Sequence, residues 1–259
     1  MMPSICSAGL SAADYATDST YSGGWSAGQN GGYGFGAWSF NTTDPTPAGT
    51  YQGMNASPQI GTAWTLATYS ASTGLANAGR AINGGLGVGQ TFETVIQNPS
   101  TSAGFYTYRG WDILFTSGPD NNGPGNNTSA LRLSVFDYYN ASQFWTINDA
   151  VNVNPALTTP LTGPTTALQG VKIDLTLTSA TGYFLTMTPL SGATSYTHAG
   201  TLTGPVNYVD FRSYNGVSGG LTDTANNLGI SYMTIVPEPS SLALIVLGMS
   251  GFWCLRRRK

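Results

Sequence analysis

Val171-Lys-Ile-Asp-Leu-Thr-Leu177 places four apolar side chains at alternate positions, with Lys172, Asp174 and Thr176 between them. Strict alternation marks a strand with one buried and one wetted face. Gly182 then marks a turn into Tyr183 to Met187, so the two segments read as a hairpin. Further along, Val206 to Tyr214 and Leu228 to Ile235 supply two more strands. Upstream, Leu131 to Tyr138 alternates through Leu131, Leu133 and Val135, and Tyr106 to Thr116 sets Trp111, Ile113 and Phe115 on one face. Gly89 to Gln97 turns about Phe92, Val95 and Ile96, and Trp64 to Tyr69 is short and β-rich. Phe35, Trp38 and Phe40 close a Gly-rich stretch and pack a first strand, after which Asn41 to Pro58 reads as a turn-rich connection around Asp44-Pro45 and Thr46-Pro47. No helical periodicity of useful length and no exact repeat precedes residue 236. Many short strands between Gly, Pro and Asn clusters predict an all-β, two-sheet antiparallel sandwich.

Charged residues make up only 8% of the chain, where about a quarter is usual. Hydroxyls and amides must therefore keep it in solution, which suits an exported β-protein better than a cytosolic enzyme. Four of the nine Lys and Arg lie at Arg256 to Lys259. The rest of the chain sets five cations (Arg80, Arg109, Arg132, Lys172, Arg212) against eleven acids. That acidic balance argues against nucleic acid and anionic membrane surfaces as partners. Cys6 and Cys254 stand at opposite ends, so neither a disulfide nor a thiolate metal site is expected in the body.

The last stretch has a different order. Val236-Pro-Glu-Pro239 is followed by an uncharged apolar run from Leu242 to Leu255 and then by Arg256-Arg-Arg-Lys259. Pro237 and Pro239 hold the backbone extended. The run is about 21 Å long as a helix at about 1.5 Å per residue, short for a span unless Ser240, Ser241 and a snorkelling Arg256 extend it. The terminal cations would stay on the cytoplasmic side. This order resembles the PEP-CTERM sorting signal of Gram-negative bacterial surface proteins. In that family an exosortase, a membrane-embedded cysteine protease, recognises Pro-Glu-Pro and processes the exported protein. The resemblance makes Val236, Pro237, Glu238 and Pro239 the sorting motif, the apolar run a single C-terminal transmembrane helix, and Arg256, Arg257, Arg258 and Lys259 the residues that stop and orient it. A plain membrane anchor behind a Pro-rich linker is the alternative.

Residues 1–13 lack the basic start and unbroken apolar core of a Sec signal, yet Ser11-Ala12-Ala13 before Asp14 looks like a small-residue cleavage site. Export by the Sec machinery then implies a signal peptide upstream of Met1, with residues 1–13 a remnant; an ordinary flexible N-terminus is the other reading. The expected organisation is 1–13 remnant or flexible segment, 14–235 sandwich and 236–259 sorting signal.

A second resemblance concerns the body. Val171 to Leu177, Thr181-Gly-Tyr-Phe-Leu185, His198-Ala-Gly-Thr-Leu202, Val209-Asp-Phe-Arg212 and Gly229 to Ile235 look like the second half of a concanavalin A-like jelly roll. The fold hosts lectins, glycosidases and passive modules alike, so it assigns no function. Glycoside hydrolysis needs two carboxylates about 5 to 9.5 Å apart. Glu93 is the body's single glutamate, and Asp112 and Asp137 are isolated, so no enzyme is expected. His198, the only histidine, sits in Tyr-Thr-His-Ala-Gly-Thr, which reads as a solvated turn, and no G-x-S-x-G precedes it. Asp120, Asn121 and Asn122, with Asp112 nearby, carry oxygens of the kind calcium takes, but the same residues before Gly123 are what a long turn wants. The turn is the expected reading, with no cofactor and a structural calcium ion left open. Trp25, Trp38, Trp64, Trp111 and Trp145 could stack on sugars, although a sandwich with few other large residues needs most of them in its core.

The sequence thus predicts an exported, non-enzymatic cell-surface or extracellular-matrix protein. It would pass transiently through the inner membrane and meet an exosortase there, with an exopolysaccharide as a possible matrix partner. A carbohydrate-binding, lectin-like surface module is the main alternative, and a permanently anchored surface protein the remote one.

Overall fold

The computed structural model describes residues 9–42, 50–68, 75–97, 109–119, 131–139, 144–152, 157–162, 170–214 and 228–237. Strands are numbered in chain order. One sheet runs β13 (Tyr196–Thr201), β12 (Gly182–Pro189), β11 (Val171–Leu177), β6 (Gln90–Gln97), β15 (Leu228–Pro237), β4 (Gly61–Thr68) and β3 (Thr50–Ser57), with β1 (Ala12–Tyr15) also on β15. The second runs β10 (Leu157–Thr162), β9 (Phe144–Asn148), β8 (Leu131–Tyr139), β7 (Arg109–Thr116), β14 (Tyr208–Tyr214), β5 (Leu75–Ala81) and β2 (Ser39–Thr42). All pairings among the described residues are antiparallel. The all-β, two-sheet sandwich is therefore present.

Alternation decides the layering. Val171, Ile173, Leu175 and Leu177 are buried while Lys172, Asp174 and Thr176 keep partial exposure. From the opposing sheet Trp111, Ile113, Phe115, Val209 and Phe211 enter the same core. The sheets meet through aromatic edges, Phe92 on Phe115 at 5.2 Å and Trp38 on Trp64 at 5.1 Å between ring centroids, and Tyr21 of the short 3-10 turn Ser19–Tyr21 packs on Trp64 at 5.2 Å. Such edge-to-face pairs add about 0.5–1.5 kcal/mol each beyond their burial.

Three sequence expectations change. Asn41 to Pro58 is not all connection, because Thr50–Ser57 is strand β3, closed onto β4 through a turn at Gly61, whose φ is 71°. As an end strand it needs a partner on one side only, so mixed Tyr51-Gln-Gly-Met-Asn55 suffices. The Tyr196–Thr201 segment is strand β13 rather than a turn, paired along β12 with His198 opposite Leu185. Residues 12 and 13 belong to the sandwich: β1 pairs Ala12 with Ile235 and Ala13 with Thr234. A cut after Ala13 would split that strand. The sheet also runs on to Pro237, so it reaches past 14–235 at both ends.

Strand β15 explains why β1 is needed. Its first residues, Leu228 to Ile230, pair with β4, where that ladder ends, and its register on β6 shifts between Ile230 and Met233. From Tyr232 to Ile235 the vacated edge is taken by β1. An uncovered edge there would offer unpaired backbone groups in the middle of a sheet.

Candidate functional site

The sorting motif begins inside the fold. Val236 stands opposite Thr91 and Pro237 opposite Gln90, both in the β6 ladder and both partly exposed. Proline has no N–H to give the ladder, so Pro237 is a natural last residue for the strand. Neighbours clasp the exit. The Ser11 N–H donates to the Ile235 carbonyl at 2.8 Å, and the Ser11 hydroxyl donates to the same oxygen at 3.2 Å. Gln90 Nε2 donates to Ser11 Oγ at 3.2 Å while Gln90 Oε1 accepts from the Gly87 N–H at 2.8 Å. No linker separates sandwich from motif.

Glu238, Pro239, the Leu242 to Leu255 run and Arg256, Arg257, Arg258 and Lys259 lie outside the described residues. Among the described residues no helix is long and apolar enough to cross a membrane.

The other sequence candidates divide sharply. All five body tryptophans are core: Trp25 is 4% exposed and Trp38, Trp64, Trp111 and Trp145 are at most 1%. None offers a face to a sugar. Glu93 is not isolated. It stands opposite Asp174 on the outer face of the sheet, and Lys172 bridges both, 3.2 Å from Glu93 and 2.9 Å from Asp174. Burial raises the Asp174 carboxyl above its ordinary value despite Lys172, and the Glu93 charge adds to that. For Lys172, burial opposes protonation but the two carboxylates outweigh it and raise the ammonium. The pair was invisible in sequence because Glu93 and Asp174 are far apart in the chain; only the β6–β11 register joins them.

Asp112 lies in a row across three strands, opposite Arg212 of β14, which is opposite Asn77 of β5, all buried. A guanidinium across the ladder makes Asp112 a poor calcium ligand. Asp120, Asn121 and Asn122 fall outside the described residues, and among the described ones no three acidic, His or Cys side chains could hold a metal ion. Asp137 lies in β8, paired with Trp111 and Trp145.

His198 Nε2 lies 3.6 Å from Asp149 Oδ2, and its ring meets Tyr183 at 5.9 Å. Asp149 is occupied elsewhere. Its Oδ2 accepts from the Tyr183 hydroxyl at 2.7 Å, and its Oδ1 accepts from the Val151 and Asn152 N–H groups at 2.9 and 2.8 Å. Burial disfavours its charge, yet Asn152, Tyr183 and Val151 together outweigh this and hold the carboxyl below its usual value. Burial and the hydrogen bond to Asp149 raise the Tyr183 phenol well above its ordinary range. This cluster fastens a turn; it aligns no nucleophile.

A second buried network closes the core. Asp14 of β1 forms an ion pair with Arg80 of β5, both side chains fully buried, and so links the two sheets. The Tyr21 hydroxyl donates to Asp14 Oδ2 at 2.6 Å and accepts from Trp38 Nε1 at 3.2 Å. Arg80 donates to the Gly36 carbonyl at 2.9 Å and lies over the Phe35 and Trp38 rings at 5.1 and 4.8 Å. Burial, with the Asp14 hydrogen bond, pushes the Tyr21 phenol up to about 12. Sequence reading counted Arg80 only as a charge, since nothing in Ala-Asn-Ala-Gly-Arg marks it as internal.

No curated protein matches the chain by sequence. Among solved structures it is similar to the calcium-bound exoplasmic/lumenal domain of VIP36, at 9% identity and a TM-score of 0.47, over 77% of this chain and 83% of that one. It is also similar to lectin UEA-II complexed with galactose, at 6% identity and a TM-score of 0.48, over 82% of this chain and 96% of that one. A third is arcelin-5, a lectin-like defence protein from Phaseolus vulgaris, at 10% identity and a TM-score of 0.44, over 76% of this chain and 97% of that one. These structural neighbours are lectin-like sandwiches, and the likeness concerns fold alone. Residues 236–259 match the PEP-CTERM protein-sorting motif, whose first two residues are therefore the last two of β15.

Proposed function

We propose that the chain is an exported bacterial surface or extracellular-matrix protein whose sandwich is a stable, non-catalytic cargo and whose residues 236–259 are its address. The match to the sorting motif, joined to β15 without a linker, carries this reading. Sec export would leave the apolar run in the inner membrane with Pro237-Glu238-Pro239 at its outer interface. An exosortase engages the motif, cuts near it and releases the sandwich to the envelope or matrix. Glu238 is the polar handle, the prolines keep the peptide extended, and Arg256 to Lys259 hold orientation. Because Val236 and Pro237 belong to the β6 ladder, the cut falls after Pro237 and leaves the strand whole.

Replacing Pro237, Glu238 and Pro239 by alanine should trap the protein in the inner membrane, as read by cell fractionation. A Glu238→Ala, Pro239→Ala variant leaves β15 untouched and should be trapped too, so a folding defect cannot account for the result. Unchanged release of both would overturn the proposal. A lectin-like role would have to use side chains other than the five body tryptophans, since all are buried. A glycan array on the purified body tests it.

A further inference from the structure

The outer face of the first sheet carries a cluster that the sorting motif does not use. Lys172 is the only lysine ahead of Lys259, and Glu93 the only glutamate ahead of Glu238. The β6–β11 register nevertheless brings the two together, with Asp174, near the middle of the sheet. Side chains directly opposite each other on neighbouring strands share a face, and like charges placed so repel. One ammonium therefore serves two carboxylates, and a negative charge is left over while both are ionised.

Aromatic side chains flank these charges on the same face. Tyr15 of β1, 44% exposed, stands opposite Tyr232 of β15, and the two rings lie tilted at 6.0 Å. Burial raises the Tyr232 phenol, and Lys172, Glu93 and Asp174 act on it through their charges, so the ring borders the cluster. On the other side Thr91 and Thr176 share a hydroxyl hydrogen bond at 2.7 Å. Phe184 of β12, 41% exposed, stands opposite Thr176. One row joins Phe184, Thr176, Thr91 and Val236. Tyr232 and Phe184 are thus three strands and four residues apart, about 20 Å at ~4.8 Å per strand and ~3.3 Å per residue.

Aromatic rings accept the apolar C–H faces of sugar rings, and carboxylates, ammonium and hydroxyls between them bond the sugar hydroxyls. The distance between the two aromatic ends exceeds one sugar and suits an extended chain. Charge decides which chain. Uronate or sulfate groups would meet Glu93 and Asp174 as like charges. A sugar ammonium instead supplies the second cation that the carboxylates lack, and the tyrosine faces attract it as well. We infer that this face binds a polysaccharide bearing free amino groups, laid diagonally from Tyr15 and Tyr232 across Glu93 and Asp174 to Phe184. The inference rests on the lectin-like role named above, gives it a site without the buried tryptophans, and is independent of the sorting reading.

The test uses the full chain in a zwitterionic detergent, titrated calorimetrically with equal-length oligomers of glucosamine, N-acetylglucosamine and galacturonic acid. A mildly acidic buffer keeps the sugar amines charged. The glucosamine oligomer should bind several-fold more tightly than its acetylated counterpart, and the galacturonate oligomer should not bind. Glu93→Gln, Tyr15→Ala and Phe184→Ala should each weaken the glucosamine oligomer several-fold, while Val151→Ala, exposed and off this face, should not. The three variants lie on different strands, and circular dichroism checks the fold of each, so one folding defect cannot produce a common loss. Equal affinity for the acetylated oligomer would overturn the amine as the recognised group. A loss on Glu93→Gln with none on the two aromatic changes, which alter no charge, would mean general charge attraction and overturn the site. Binding that survives all three variants would overturn this face and leave a lectin-like role elsewhere on the chain. No binding of any oligomer would overturn both, and the sorting reading stands in either case.

Discussion

Asp14 and Asp149 are both buried acids, and the fold satisfies them by different means. Asp14, between the sheets, meets the full charge of Arg80, which is itself stacked on Phe35 and Trp38. Asp149, at the end where the tail leaves, takes a phenol and two backbone N–H groups, with His198 beyond hydrogen-bonding distance at 3.6 Å. Inside the core a charge is matched by a charge, and the pair fixes how the sheets lie on each other. At the exit end a charge is absorbed by neutral donors. The first arrangement ties β1 to β5 across the sheets; the second fastens the 149–152 turn to β12.

The contrast predicts unequal costs. Arg80→Met leaves Asp14 buried without its cation, which typically costs about 3–5 kcal/mol. At roughly 2–4 °C per kcal/mol for a domain of this size, the midpoint of thermal unfolding should fall by about 10 °C. Adding Asp14→Leu should restore a good part of the loss, because an apolar pair needs no counter-charge. If the double variant is no better than the single one, the ion pair is not what holds β1 to β5.

Gly200→Ala probes the neutral arrangement. A Cβ at Gly200 would lie 2.4 Å from Asp149 Oδ2 and 2.5 Å from the Tyr183 ring, forcing the two apart. Losing that hydrogen bond with its acceptor still buried should cost about 1–3 kcal/mol, measured by urea unfolding. A cost above that of Arg80→Met would reverse the ranking of the two sites.

The smallest effect is in pH. Tyr21 keeps its proton up to about 12 in the fold and gives it up nearer 10 when unfolded. The native state therefore binds more protons between these values, and stability should fall as pH rises through about 10 to 12. Lys172, raised by its two carboxylates, adds to the same loss above its ordinary 10.5. Asp149, held below 3.8, acts on the other limb: its contribution is present above 3.8 and disappears as pH falls through its folded value. A profile flat from pH 9 to 12 would contradict the buried-phenol account.

Strands with one wetted face were legible in the sequence because alternation reports that environment. The β11–β12 hairpin falls where alternation places it, and β6, β14 and β15 fall within segments that the sequence marks as strands. Strand β5 does not, since Leu-Ala-Asn-Ala-Gly-Arg-Ala is buried along nearly all its length and has neither alternation nor β-branched side chains. Strand β1 was hidden for a related reason: Ala12 and Ala13 suit a crowded slot beside β15 and equally suit a cleavage site. Of the site, the motif was readable from order alone, as local signals are. The Glu93–Lys172–Asp174 cluster and the Asp14–Arg80 pair were not, because each joins residues distant in sequence through a register that no local pattern encodes.

The measurement that bears most directly on the account is the intact mass of the protein recovered from the cell envelope and medium of its native host. A mature species ending between Pro237 and Ser241, with β15 complete, is the expected result. A full-length chain ending in Lys259 and found only in the inner membrane would contradict it and make residues 236–259 a permanent anchor.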